Sequence, residues 1–246
     1  TSTAIFAQAD WEFIEDWTLT AGIRSTQEKK KFIAGQAYLT SSDRERLRNF
    51  PDYADLDETW AEISPKLGLT YQLNDSTIIY GSYSEGFHSG GFFGVNQNIR
   101  DFERDIYEPE IATSFEVGYK AMLMDRRLRL NVTAFRNEFT DKQESSVQVD
   151  PDTKTVASVF DNVADATYQG IELETEFVVS QYLKVFLNYG YLDAEYTEIE
   201  SLNGVPLPGI VIDTDSELVN APKWNKPSAG NLHNIPVKAG IMRKNA

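Results

Sequence analysis

TSFEVGYKAMLMDRRLRLNVTAF, residues 113–135, decides the fold. Thr113, Phe115, Val117, Tyr119 and Ala121 alternate with Ser114, Glu116, Gly118 and Lys120, and a short Asp125-Arg126 break follows. Leu128, Leu130, Val132 and Ala134 then alternate with Arg127, Arg129, Asn131 and Thr133. A period of two sends successive side chains to opposite faces of an extended chain. The stretch therefore predicts two strands joined by a tight turn, with one apolar face and one polar face.

The same pattern recurs in both directions. Ile5, Ala7, Ala9, Trp11 and Phe13 oppose Gln8, Asp10 and Glu12, and after Glu15-Asp16 the series Trp17, Leu19, Ala21, Ile23 opposes Thr18, Thr20, Gly22, Arg24. Ile63 to Leu73 alternates likewise, although Pro65 cannot donate to a ladder. Asn74-Asp75 signals a turn into a strand over 76–87. Ile171, Leu173, Thr175 and Phe177 oppose Glu172, Glu174 and Glu176, which marks the wet face. A strand over 182–196 is apolar on both sides, so its orientation stays open, and a weaker strand spans Leu218 to His233.

Between these strands, short and long connections alternate. Those after Phe13, Leu73, Leu123 and Val178 are a few residues long, whereas Glu28–Asp57, Gly86–Glu108, Thr140–Asp165 and Asp193–Glu217 run 23 to 30 residues. Structureless loops of that length are uncommon in compact domains. Tight turns at one end and long loops at the other are what an up-and-down transmembrane barrel requires. Trp11, Phe13, Trp17, Tyr71, Tyr119 and Phe177 lie near the short turns on the apolar face, the place of an aromatic membrane girdle.

Composition narrows the function. With 23 basic against 38 acidic residues the net charge is −15, which argues against nucleic-acid binding. The absence of cysteine excludes disulfides, thiolate metal sites and thiol nucleophiles. The four long connections hold 23 acidic and 10 basic side chains, so the acidity belongs to them. Asp193–Glu217 has seven acids and no base, a field that favours neutral or cationic ligands, or calcium-assisted binding.

The chain resembles the β-barrel portion of TonB-dependent outer-membrane receptors. The resemblance rests on GSYSEGFHSGGF (81–92), on EPEIATSFEVGYKAML (108–123) with Pro109, Glu110, Ser114, Glu116, Gly118 and Lys120 in place, and on RRLRLNVTAFRNEFTDKQ (126–143). DNVADATYQGIELETEF (161–177), VNAPKW (219–224) and the opening TAIFAQADWEFIEDWTLTAGIR also fit. It implies an all-β, antiparallel up-and-down transmembrane β-barrel, of which residues 1–246 form a partial domain. About 9 or 10 of about 22 strands are represented, with short periplasmic turns and long extracellular loops, and without the plug domain or the C-terminal strands. The implied location is the outer membrane of a Gram-negative bacterium. The implied activity is uptake of a ferric siderophore or similar scarce nutrient, energised by TonB, with no catalytic residues.

That resemblance assigns roles. Arg24, Lys66, Glu116, Lys120, Arg129, Glu172, Glu174 and Glu176 are expected to face the barrel interior and the plug. Phe87, His88, Phe92, Phe93, Arg100, Arg104 and Tyr107, aromatics and cations in one glycine-rich connection, are the ligand-contact candidates. The expected partners are membrane lipid, the plug, the TonB complex and a small-molecule ligand. No resident cofactor or metal is expected, the ferric chelate being cargo, although Asp150 and Asp152, or Asp213, Asp215 and Glu217, offer oxygens for loop calcium. A passive porin-like or adhesive barrel is the alternative. A barrel lipase would need more than Ser84 and His88, and a soluble sandwich would have to explain four long loops at one end.

Overall fold

The computed structural model describes residues 1–35, 53–93, 106–149, 156–199 and 238–243. The strands are β1 (Ser2–Ile14), β2 (Trp17–Gly35), β3 (Tyr53–Asn74), β4 (Thr77–His88), β5 (Gly91–Phe92), β6 (Ile106–Tyr107), β7 (Glu110–Leu123), β8 (Leu128–Val149), β9 (Val156–Ser180), β10 (Leu183–Ile199) and β11 (Lys238–Arg243). Nine of them form one antiparallel sheet in the order β1-β2-β3-β4-β7-β8-β9-β10-β11. Each strand in it pairs with the next, and the small hairpin β5-β6 stands apart. This is an up-and-down meander, with no helix among the described residues.

Register fixes the two faces. Arg24 lies opposite Ser64, which shares its face with Lys66; Lys66 opposes Ser84, Ser82 opposes Glu116, and Lys120 opposes Asn131. Arg129 opposes Glu176, Asn131 opposes Glu174 and Thr133 opposes Glu172. The whole row from Arg24 to Glu176 therefore shares one face. The other face carries Ile5, Trp11, Ile23, Ile63, Leu67, Ile79, Phe115, Val117, Ile171 and Leu187, which are 37% to 78% exposed. Such a continuous uncovered apolar face belongs against lipid. β10 also resolves: Val185, Leu187, Tyr189 and Tyr191 pair into the apolar face, and Asn188, Gly190 and Tyr196 into the polar one.

Local chemistry sets the turns. Asp16 (φ 68°) closes the β1–β2 turn, and Ser76 N–H bonds to Asn74 Oδ1 at 2.9 Å before β4. The β7–β8 turn has Asp125 at φ 53° and Arg126 at φ 65°, the positive values that a type I′ hairpin requires of both central residues. Pro65 is tolerated because the β3–β4 ladder begins just beyond it, at Lys66↔Ser84.

The strands run further than the sequence pattern shows. Pairing of β2 with β3 continues to Gly35↔Tyr53, and that of β8 with β9 to Val149↔Val156. Thr140–Asp165, expected as a connection, is thus largely ladder, and Glu28–Asp57 is ladder over residues 28–35 and 53–57. Beyond the apolar band charged and apolar residues mix without a period, so alternation lapses, yet backbone pairing needs no alternation. Two irregularities interrupt the β8–β9 ladder between Phe139 and Gln143, where Asp141 takes φ 54°. The strand expected over Leu218–His233 lies outside the described residues.

Candidate functional site

At the loop end, the base of the connection between β4 and β7 folds onto the polar face. Ser89 (5% exposed), Gly90 and Gly91 are buried there. On one side they meet β2 and β3. Ser89 Oγ donates to Glu28 Oε2 at 2.7 Å, Lys30 Nζ donates to the Gly90 carbonyl at 2.6 Å, and Phe92 packs against Phe32 (5.5 Å) and Trp60 (5.8 Å). Trp60, 7% exposed, donates its indole N–H to Glu108 Oε2 at 3.1 Å.

On the other side the anchors come from β8 and β9. The Asn162 side-chain amide accepts from Glu108 N–H (2.7 Å) and donates to the Glu108 carbonyl (2.9 Å), so it binds Glu108 as a neighbouring strand would. It also donates to the Asp141 carbonyl at 2.6 Å, which ties in the irregular segment of β8. Buried Gln143 donates from Nε2 to the carbonyls of Glu108 (2.9 Å), His88 and Ser89 (3.3 Å each). Phe160 of β9 meets Tyr107 edge-on at 4.8 Å and Phe93 in a stack at 6.2 Å. The glycines are dictated by this packing: a Cβ on Gly90 would sit 2.3 Å from the Tyr107 carbonyl, and one on Gly91 would sit 2.3 Å from the Tyr107 hydroxyl.

Electrostatics follow the contacts. The Ser89 hydroxyl, opposed by partial burial and assisted by Lys30, holds the Glu28 carboxyl below its ordinary range. Burial raises Asp161, with the Asn162 N–H acting against it. Burial works to lower Lys142, but Glu144 at 2.6 Å, with Tyr168 and Glu110, outweighs it and the ammonium ends raised. Burial and the nearby Glu144 push the Tyr196 phenol up.

The ligand-contact candidates thus divide. Phe92, Phe93 and Tyr107 come together in the aromatic cluster. His88 lies on the polar face opposite Glu110, its carbonyl taken by Gln143. Phe87 pairs with Ile111 on the other face, in line with Tyr83 and Phe115, and is separated from the rest by strand parity. Arg100, Arg104, His233, Asp150, Asp152, Asp213, Asp215 and Glu217 lie outside the described residues. Trp60 and Phe160 are not singled out by the sequence, and Asn162 and Gln143 fall within the segments 161–177 and 126–143 without a contact being assigned to them; the Gly90-Gly91 pair is the signal that something packs closely against the backbone there. Ser84 and His88 are four residues apart on β4, roughly 13 Å, too far to hydrogen-bond as nucleophile and base.

The polar wall below this cluster is internally bonded. Glu176 accepts from Lys184 (2.7 Å) and Arg129 (3.5 Å), and Glu174 accepts from Asn131 (3.3 Å). Tyr80 donates to Glu116, and Lys120 sits 4.8 Å from the Tyr80 ring. Gln72, Lys120, Arg129 and Asn131 line an open cavity of about 270 Å³ near the turns. On the apolar face at the turn end, Trp17 stacks on Tyr71 at 4.6 Å, and Trp11 lies 5.8 Å from Phe13. Tyr119 shares their face, and Phe177 carries the Arg127 guanidinium at 5.6 Å.

A two-faced antiparallel meander with tight turns at one end and a bonded loop cluster at the other defines a segment of transmembrane β-barrel wall. The chain belongs to the TonB dependent receptor-like β-barrel family, whose model matches residues 1–225. It is 28% identical over 204 residues to the probable TonB-dependent siderophore receptor PiuA of Acinetobacter baumannii, with 80% of this chain and 24% of that protein covered. To the metal-pseudopaline receptor CntO of Pseudomonas aeruginosa it is 25% identical over 220 residues, covering 89% of this chain and 26% of that protein. Among solved structures, the ferric yersiniabactin uptake receptor FyuA from Yersinia pestis superposes with a TM-score of 0.60 at 15% identity (80% of this chain, 27% of that one). The PiuA structure superposes at 0.57 and 24% identity (80% and 26%). The chain spans about a quarter of the length of these relatives.

Proposed function

We propose that the intact protein is an outer-membrane receptor of a Gram-negative bacterium that takes up a ferric siderophore or comparable metal chelate. Energy reaches a plug inside the barrel through TonB, and no covalent chemistry is performed. The observation that carries this reading is the family match along residues 1–225 to a sheet whose polar face is continuous across eight strands. Relatives named as siderophore and metal receptors support the substrate class. The short turns then face the periplasm and the long connections the exterior. Trp11, Phe13, Trp17, Tyr71, Tyr119 and Phe177 form the inner-leaflet girdle, and the row from Arg24 to Glu176 faces the plug. Phe92, Phe93 and Tyr107, with Phe160 added, offer ring faces to the ligand, with His88, Arg100 and Arg104 as polar candidates; Phe87 is left out because its register places it toward lipid. The acidic Asp193–Glu217 connection favours a neutral or cationic chelate, or calcium between loop and ligand.

The test is growth of a gene-deletion strain on single ferric siderophores under iron limitation, in TonB-plus and TonB-minus backgrounds. A siderophore whose use needs both the gene and TonB supports the proposal. Uptake that needs the gene but not TonB would instead establish a passive barrel.

A further inference from the structure

The inward fold of the β4–β7 connection has a consequence for the channel itself. Glu28, Lys30, Phe32 and Trp60, which hold it on one side, belong to the polar face by register; Gln143, Phe160 and Asn162, beyond the irregularities of the β8–β9 ladder, hold it on the other through their side-chain contacts. The two stretches Ser89–Phe93 and Ile106–Glu108 therefore lie on the inner side of the wall. They are fixed at both flanks: three of the anchoring hydrogen bonds end on the Glu108 backbone and two on Ser89 and Gly90. The flanking pairs β2–β3 and β8–β9 rise past the ends of β4 and β7, and the strap reaches both, lying against the polar face of β2 and β3. A strap with buried backbone, a glycine at 90 that admits no Cβ and anchors on four strands is a fixed part of the fold.

We propose that this strap is a permanent constriction at the loop-end mouth, which narrows the lumen whether or not anything is bound. The inference requires only that the sheet close into a barrel with its polar face inward, so it stands or falls separately from the uptake reading.

The test uses the full-length protein in planar lipid bilayers, after excision of any domain that fills the lumen, and reads single-channel conductance. Residues 1–246 contain no cysteine, and any cysteine elsewhere in the full-length protein is first replaced with serine. In Phe93→Cys, attachment of a bulky methanethiosulfonate reagent is expected to cut the current by about half or more, since it enlarges a group lining the pore. The same reagent on Phe87→Cys, on the lipid side, is expected to leave the current unchanged. Replacing Phe92, Phe93 and Tyr107 together with alanine should raise conductance. Equal currents before and after labelling of Phe93→Cys, with labelling verified by mass, would overturn the proposal even if the triple variant failed to fold. An unchanged conductance in a folded triple variant would overturn it equally.

Discussion

Gly118→Ala is the sharpest perturbation of the barrel wall. Gly118 lies directly opposite Tyr80 on the polar face, and an added Cβ would stand 2.2 Å from the Tyr80 ring. The ring must swing away, and two interactions leave with it: the hydrogen bond from its hydroxyl to Glu116, and the Lys120 ammonium held 4.8 Å from its centroid. A hydrogen bond to a charged group contributes about 1.5–3 kcal/mol and an exposed cation–π contact about 0.5–1. Alanine recovers about 0.5 kcal/mol through its smaller backbone entropy loss. The expected net loss is about 2 kcal/mol, read as a shift in the urea midpoint of the full-length protein in lipid vesicles. The decisive measurement is the double-mutant cycle with Tyr80→Ala. Once the ring is gone, Gly118→Ala should cost nothing or stabilise slightly. If alanine costs the same with and without the Tyr80 ring, the glycine is required for another reason and the argument fails. Gly170 differs: a Cβ there would stand 2.2 Å from the Tyr191 carbonyl and 2.9 Å from the Phe135 ring, so Gly170→Ala is expected to destabilise with or without that ring.

Val117 is 61% exposed within the apolar band, so Val117→Lys should destabilise insertion by about 2–4 kcal/mol, while Ser114→Lys on the polar face should change it little; equal costs in vesicle-folding titrations would refute the assignment of faces. Replacing Asp125-Arg126 with Asn-Gly, which suits positive φ, should raise stability by about 1 kcal/mol in the same titration. The Glu28 carboxyl is held below its ordinary range, so its contribution to fixing the strap is complete above the unfolded carboxylate pKa and is lost as pH falls through the folded one. Amide exchange at Ser89–Gly91 should therefore accelerate below about pH 4.5, the upper limit set by an unperturbed glutamate, and Glu28→Gln should abolish that dependence. Asp161, raised by burial, acts with the opposite sign, stabilising as pH falls, so Glu28→Gln is needed to separate the two.

Strand parity was legible wherever one face met lipid and the other did not. Phe115, Val117 and Tyr119 against Glu116, Gly118 and Lys120 could be placed from spacing alone, because a one-residue slip would exchange the two faces. Above that band the code ends. Glu28 to Gly35 and Lys142 to Val149 carry charges and apolar residues without a period, yet their backbones stay in the ladder. The bend near Asp141 was invisible because it depends on a partner, Asp165, 24 residues away, whose side chain accepts the Asp141 N–H at 3.0 Å. Asn162 stands at the start of the motif-bearing stretch 161–177, yet neither it nor Trp60 and Gln143 could be given a task from spacing, because only the tertiary placement of the strap supplies one. The glycines at 118 and 170, by contrast, stood out in the sequence; the Tyr80 ring supplies the physical cause at the first, and the Tyr191 carbonyl, with the Phe135 ring behind it, at the second.

The limit of the β3–β4 ladder at Lys66↔Ser84 has a mechanical meaning. Below it, neighbouring strands are joined rung after rung, and a load along the strands must break many hydrogen bonds at once, in shear. Above it, β3 holds only β2 while β4 holds only β7, so the wall divides into two leaves that meet along a seam. A load drawing the leaves apart would unzip contacts one at a time, beginning with Ser89–Glu28 and Lys30–Gly90 across that seam. Along the β3–β4 line the described wall is thus stiff within the apolar band and compliant where the loops begin.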